Sequence, residues 1–222
     1  MTSSIPRARR RSGRPPLAEE REAREALLDA AVALFAERGV AATASAHVAE
    51  RAGVTPAMVH YYFHSRDRLI DAVVNERLAR FPAYVFRPPL PDVPASARVT
   101  AIVRRLFEAA RQMPWMPSIW IREIVSDGGM LRERMLKHLP REAVARLVDA
   151  IAREQRAGRV PAGIEPRLAF ISIAGATLLP LAVRSIWHRL PGMANLSDRQ
   201  LERHAATVLT AGLAPSRVER KR

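Results

Sequence analysis

Apolar residues recur every three or four positions along most of the chain. No stretch alternates strictly between apolar and polar with β-branched or aromatic enrichment. That pattern predicts an all-α fold. The first periodic stretch, about residues 18–38, carries Leu27, Leu28, Ala31, Leu34 and Phe35 and stops at Gly39, a residue suited to a left-handed helix end. Two short helices are predicted at about 45–52 and 56–63, around Gly53-Val54-Thr55. Ser65 then caps a longer helix reaching about Phe81, with Asp67 near its positive end.

Residues 82–94 hold Pro82, Pro88, Pro89, Pro91 and Pro94, which reads as an extended connector with a domain boundary near its start. Past it, Val99, Ile102, Val103, Leu106, Phe107 and Ala110 stripe one helical face, and Pro114 and Pro117 interrupt the pattern around Trp115 and Met116. Further helices are predicted at about 118–126, ending at Gly128-Gly129, and at about 130–157, kinking at Pro140 and stopping at Gly158. The last two fall at about 166–188 and 198–212, the second capped by Ser197. The longest apolar run, Leu168 to Val183, contains Pro180 and has 16 residues. A spanning helix needs about 20, so it reads as a buried helix and no membrane partner is expected.

The 222-residue chain is 48% hydrophobic, enough for a sizeable core. It has no cysteine, which excludes disulfides, thiolate metal sites and a cysteine nucleophile. Basic side chains number 36 against 22 acidic, a formal charge of +14, and all but Lys137 and Lys221 are arginine. Such an excess favours a polyanionic partner and carries no information on fold. Residues 1–16 contain Arg7, Arg9, Arg10, Arg11 and Arg14 and no acid; residues 1–70 together hold 11 arginines against 8 acids. Residues 71–222 carry the larger excess, 25 basic against 14 acidic. The N-terminal segment lacks the apolar core of a secretory signal, so an intracellular, cytoplasmic protein is expected.

The most informative stretch is residues 43–66, TASAHVAERAGVTPAMVHYYFHSR. Two helices of about eight residues around a glycine-containing turn fit a helix-turn-helix, whose second helix enters the DNA major groove. Val48, Ala49 and Ala52 give the first helix an apolar face. Thr55 can cap the second, and Pro56 sits at its first position, where a missing N–H costs nothing. Val59 and Phe63 can pin that helix to a core, leaving Ala57, Met58, His60, Tyr61 and Tyr62 at or beside an exposed face. The plainer reading of the same pattern is a helical hairpin with exposed aromatics.

With AREALLDAAVALFAERGV before it and DRLIDAVV after it, this stretch resembles the tetracycline-repressor (TetR) family of bacterial transcription regulators. The resemblance covers about 50 residues. It implies an N-terminal three-helix domain with a helix-turn-helix and a C-terminal helical ligand-binding and dimerisation domain. It also implies a homodimer that binds double-stranded operator DNA and answers to a small-molecule effector. On this resemblance Thr43 and Thr55 fall at helix starts where family members contact phosphates. Pro56, Ala57, Met58 and Tyr61 match recognition-helix positions, and His60 and Tyr62 match phosphate-contacting ones. Arg66 stands where family members usually place a lysine. The departures are His60, where tyrosine is common, Ser45, where an apolar residue is usual, and His47, where an acid is common. The arm RRRSGRPP is similar to a minor-groove hook built on Arg-Gly-Arg-Pro, with Ser12 in place of its first arginine. Arg14 is then the candidate for minor-groove entry; a solvated tail is the other reading. The chain thus divides into a flexible basic arm (1–16), a helix-turn-helix domain (17–64), a ligand-binding and dimerisation domain (65–213) and a basic disordered tail (214–222).

In the second half, Phe107, Trp115, Met116, Trp120, Met135 and Phe170 are the candidate walls of an adaptable apolar pocket. Arg122, beside Glu123, is the candidate polar group within it. The same residues also suit an ordinary core, and Arg122-Glu123 an exposed ion pair. For the dimer interface, Ala169, Ile173, Ala176 and Pro180 recur along one helix, and Leu201, Ala205, Val208 and Leu209 along the next. Paired across a two-fold axis they would make a four-helix bundle; both stripes could instead pack within one subunit.

No catalytic signature is present: no G-x-S-x-G, no glycine-rich phosphate loop, no H-E-x-x-H. His60 and His64 are one helical turn apart without an evident third ligand, and Glu123 and Asp127 read as solvated. No enzyme activity, metal or cofactor is expected. The function expected is a ligand-responsive regulator, most simply a repressor released from a palindromic operator by an inducer. The alternative is a non-specific DNA-compacting protein.

Overall fold

The computed structural model describes residues 17–86 and 92–214. The expected basic arm, with Arg14, and nearly all of the expected tail lie outside them. The described residues contain helices and no strand, and none of these helices is long and apolar enough to cross a membrane.

Helix α1 (Leu17–Arg38) buries Leu27, Leu28, Ala31, Leu34 and Phe35, the stripe its periodicity predicts. Gly39 ends it at φ +85°, a conformation that a side chain would strain. Helices α2 (Ser45–Arg51) and α3 (Pro56–Phe63) follow, α2 packing on α1, and α3 on α2 and α4 (Arg66–Val73). His47, out of place for the family pattern, does the work of the usual acid: its Nδ1 accepts the Ala44 N–H at 3.3 Å. Thr55 occupies the cap position of α3, but its hydroxyl makes no cap bond, contrary to expectation. Ser65 does cap α4, its Oγ accepting the Arg68 N–H.

The rod begun by α4 runs further than the sequence suggests. It passes through a π-helical segment, Val74–Leu78, where the Ala79 N–H donates to the Val74 carbonyl, and continues as α5 (Arg80–Phe86). Pro82 does not stop it, because it falls in the first turn of the restarted helix, where a missing N–H is tolerated. Two arginines lock this rod to α1. Arg24 donates to both carboxylate oxygens of Glu76 at 2.8 and 2.6 Å and lies 5.3 Å over the Phe63 ring. That hydrogen bonding holds the Glu76 carboxyl below its ordinary range. Arg77, 8% exposed, donates to Asp29 and Glu25 at 2.7 Å each.

The C-terminal part comprises α6 (Ala95–Gln112), α7 (Met116–Ile119), a second π segment (Trp120–Val125), α8 (Arg132–Leu136) and α9 (Arg141–Arg156). A 3₁₀ turn (Pro166–Leu168), α10 (Ala169–Ala182), α11 (Arg184–Trp187) and α12 (Asp198–Ala211) complete it. Helix α6 is its axis, buried through Val99, Ile102, Val103, Leu106 and Phe107, with α5, α9, α10 and α12 packed on it. Pro140 separates α8 from α9 instead of kinking one long helix. Pro180 remains inside α10, and its carbonyl accepts the Trp187 indole N–H at 2.7 Å. Ser197 and Gln200 form a reciprocal cap on α12. One hydrophobic cluster runs from Leu27 through to Leu213 without a break.

The apolar face left over by this packing differs from the expected dimer stripe. Ile173 and Ala205 are 1% and 2% exposed, held in the subunit's own core. Ala169, Ala176, Pro180, Leu201 and Leu209 are half-buried, and Val208 is exposed. Outward apolar residues of this region include Leu168, Ile171 and Leu179 on and just before α10, Ile186 on α11 and Val208 on α12. They differ by about one position from the periodicity-based assignment.

Candidate functional site

Helix α3 is fixed by Val59 and Phe63, each 4% exposed, which turn the opposite face to solvent. On that face Thr55, Pro56, Ala57, His60 and Tyr61 are exposed and Met58 is half-buried. Tyr61 is the largest of them, 54% exposed, and its hydroxyl reaches Glu20 of α1 only at 3.4 Å. The exposed surface offers small apolar groups, the Thr55 hydroxyl, one imidazole and one phenol. Such a surface meets thymine methyls and sugar–phosphate edges better than it forks onto guanine.

Three expected contact residues face elsewhere. Thr43 is 2% exposed, and its hydroxyl donates to the Gly39 carbonyl at 2.7 Å. Arg66 turns its guanidinium inward, Nη2 donating to the Val40 carbonyl at 2.5 Å and Nε to that of Thr43 at 3.2 Å. It therefore braces the turn between α1 and α2. The Tyr62 hydroxyl is buried and has no hydrogen-bond partner among the described residues. Burial first, then the nearby Glu20 carboxylate, raises its phenol above the ordinary value.

The braced turn is also held from the other side. Glu123, on the second π segment and 4% exposed, accepts the Val40 N–H at 2.9 Å and the Met130 N–H at 3.1 Å. The carboxylate thus ties the α1–α2 turn to the loop after the π segment. The fit is close at both ends. A Cβ on Gly39 would stand 2.9 Å from the Glu123 Oε1, and one on Gly129 would stand 2.4 Å from the Glu123 carbonyl oxygen. Glu123 was expected in a ligand pocket or a solvated pair; both expectations are corrected by this bond. Its neighbour Arg122 is exposed and lies against Gly39, and does not line the apolar cavity that adjoins this junction. Arg134 adds a bridge from α8 to α4, donating to Asp71 at 2.6 Å.

Beside this junction lies an apolar cavity of about 340 Å³. Its walls come from α5 (Phe81, Val85, Phe86), the second π segment (Trp120, Ile124) and α10 (Phe170, Ala174, Leu178), with Met116 and Met135. Of the expected wall residues, Met116, Trp120, Met135 and Phe170 are there. Phe107 is instead 1% exposed in the core, and Trp115 packs against that core from outside. The cavity touches both routes to the N-terminal helices. One is the α4–α5 rod, the other the π segment that carries Glu123.

The sequence profile described as "Bacterial regulatory proteins, tetR family" matches residues 27–73. The HTH-type transcriptional regulator BetI of Rhizobium meliloti (strain 1021) is 29% identical over 107 residues, 48% of this chain and 53% of that protein. The match thus spans about half the length of that relative. BetI of Brucella anthropi is 28% identical over 157 residues, 67% of this chain and 79% of its own. Among solved structures, AibR in complex with isovaleryl coenzyme A and operator DNA superposes with a TM-score of 0.67 at 18% identity. That match covers 87% of this chain and all of the other, a likeness of fold.

Proposed function

From the chain's membership of the TetR family of bacterial regulatory proteins, we propose that it is a DNA-binding transcriptional regulator with a small-molecule effector. It works as a homodimeric repressor in the cytoplasm. The observation that carries this reading is the outward face of α3, where Val59 and Phe63 leave Pro56, Ala57, His60 and Tyr61 free for a major groove. AibR, bound to operator DNA and isovaleryl coenzyme A, supports the pairing of the two activities in one such fold.

Residues 17–64 read DNA, and residues 65–213 bind the effector and dimerise through the outward face of α10 and α12. A two-fold dimer presents two α3 helices to a palindromic operator, at a spacing the C-terminal part controls. An effector in the apolar cavity displaces the operator by favouring a different spacing, and its leverage equals its differential affinity for the two arrangements. The cavity's contact with α5 and with the Glu123 segment supplies the mechanical path. Arginines of the N-terminal arm, and Arg14 in the minor groove, add salt-dependent phosphate affinity.

DNase I footprinting of the region upstream of its own gene tests this reading. The expected result is one discrete protected segment with two similar halves, centred about 10 base pairs or a multiple apart. Uniform protection growing with concentration would instead match the non-specific compaction that the +14 charge permits.

A further inference from the structure

The apolar cavity opens beside a second, open groove of about 980 Å³, and the two share walls at Pro82, Phe86, His138, Leu139 and Pro140. The groove's other residues are of a different chemistry. Arg80 on α5, Lys137 after α8, and Arg141 and Arg146 on α9 line it, against the single carboxylate of Glu142. Arg146 stands 3.5 Å from Glu142, and Arg80 lies in the field of Glu76, already committed to Arg24. Lys137 and Arg141 make no ion pair among the described residues. The groove therefore keeps a net positive charge, and concave walls concentrate such a field.

The groove across α6 and α12 is a useful contrast. Its Arg111 bonds Glu108 at 2.6 Å and Glu202 at 3.2 Å, and its Arg184 pairs with Asp198. Arg104, Arg105 and Arg199 also line it, so that groove is basic too, but no apolar chamber adjoins it among the cavities described. At the Lys137–Arg141 groove, cations that make no ion pair among the described residues stand beside an apolar cavity with shared walls.

We infer that the effector is an amphiphile: an apolar chain seated in the cavity between α5, α10 and the Trp120–Val125 segment, joined to an anionic head held by Lys137, Arg141, Arg146 and Arg80. Apart from His138, which also borders the groove and bonds Asn75 at 3.0 Å, the cavity offers a charged group only apolar walls such as Phe81, Val85, Ile124 and Leu178, where an unpaired charge is costly. The groove is open and its apolar residues, Pro82, Phe86, Leu139 and Pro140 with three alanines, stand among four cationic side chains, so it encloses an apolar chain less well than the cavity does. Only a molecule with both ends satisfies both sites. This rests on the effector-responsive reading above, and it gives that effector a chemical class.

Isothermal titration of the purified full chain with decyl phosphate, decanoate, 1-decanol and inorganic phosphate tests it. Either anionic amphiphile is expected to bind at least ten-fold more tightly than 1-decanol, with inorganic phosphate weaker still. Decyl phosphate ahead of decanoate identifies a phosphate head; the reverse order identifies a carboxylate head. The double substitution Lys137→Ala/Arg141→Ala should weaken binding of the anions ten-fold or more while leaving 1-decanol within two-fold. Both positions are exposed, and an unchanged thermal midpoint separates loss of binding from loss of fold. Equal affinity for alcohol and anion, an unaffected double variant, or no binding by either anion would overturn the inference. Operator binding measured on the same preparation keeps the two claims apart. An operator complex without amphiphile binding overturns the effector class alone. Amphiphile binding without any operator complex overturns the regulator reading and leaves the site standing.

Discussion

Glu123→Ala is expected to lower the unfolding free energy by about 2–4 kcal/mol, because it strips two backbone N–H groups of their acceptor at once. The Val40 N–H lies in the buried turn after α1, and the Met130 N–H in the loop after the π segment; one carboxylate serves both. Glu123→Gln should recover only part of the loss. Its carbonyl can serve one N–H, but its amide would point a donor at the other. Denaturant unfolding followed by circular dichroism measures both variants. A change below about 0.5 kcal/mol for the alanine variant, typical of an uninvolved surface site, would mean that water replaces the carboxylate. The Glu123 bridge would then not hold the N-terminal helices to the C-terminal ones.

Tyr61→Ala is expected to weaken operator binding by about 1–3 kcal/mol, roughly 5- to 150-fold, without unfolding the protein. The side chain is 54% exposed, and its hydrogen bond to Glu20 is 3.4 Å long, so little of the fold depends on it. On the exposed face of α3 it is the residue with both reach and a hydroxyl, since Pro56, Ala57 and Met58 carry no side-chain donor. Fluorescence anisotropy on operator and scrambled duplexes reads the effect. Affinity for the operator should fall further than affinity for the scrambled DNA. Unchanged operator affinity would remove Tyr61 from the interface.

What could be read from the chain was local. The stripe of Leu27, Leu28, Ala31, Leu34 and Phe35 repeats within one helix, and the turn at Gly53 with Pro56 at the next helix start is written in consecutive residues. The caps at Ser65 and Ser197 were legible for the same reason. The contacts that organise the candidate sites are not local. Glu123 meets Val40 from 83 positions away, Arg24 meets Glu76 from 52, and Arg66 meets Val40 from 26. An arginine at a helix start looks the same in sequence whether it faces a phosphate or a carbonyl, so Arg66 was assigned to the outside. Helix α10 is apolar nearly all round, with Ile171 exposed and Ile173 buried. Periodicity alone therefore has no polar face from which to orient it, and the residues it proposes for the dimer stripe differ by about one position from those the single chain leaves exposed. The cavity drew in residues of the right chemistry, Phe107 and Trp115 among them, that α6 and its neighbours enclose in the core or against it. The basic groove went unseen because Arg80, Lys137 and Arg141 come from three separate segments.

The measurement that bears most directly on the account is fluorescence anisotropy of the purified protein on DNA from upstream of its own gene. It is titrated against a scrambled duplex at several salt concentrations. A sequence-specific regulator predicts affinity for the upstream DNA about 10³-fold or more above the scrambled duplex, with the difference surviving as salt rises. Equal affinity for both duplexes, falling steeply together with salt, would contradict it.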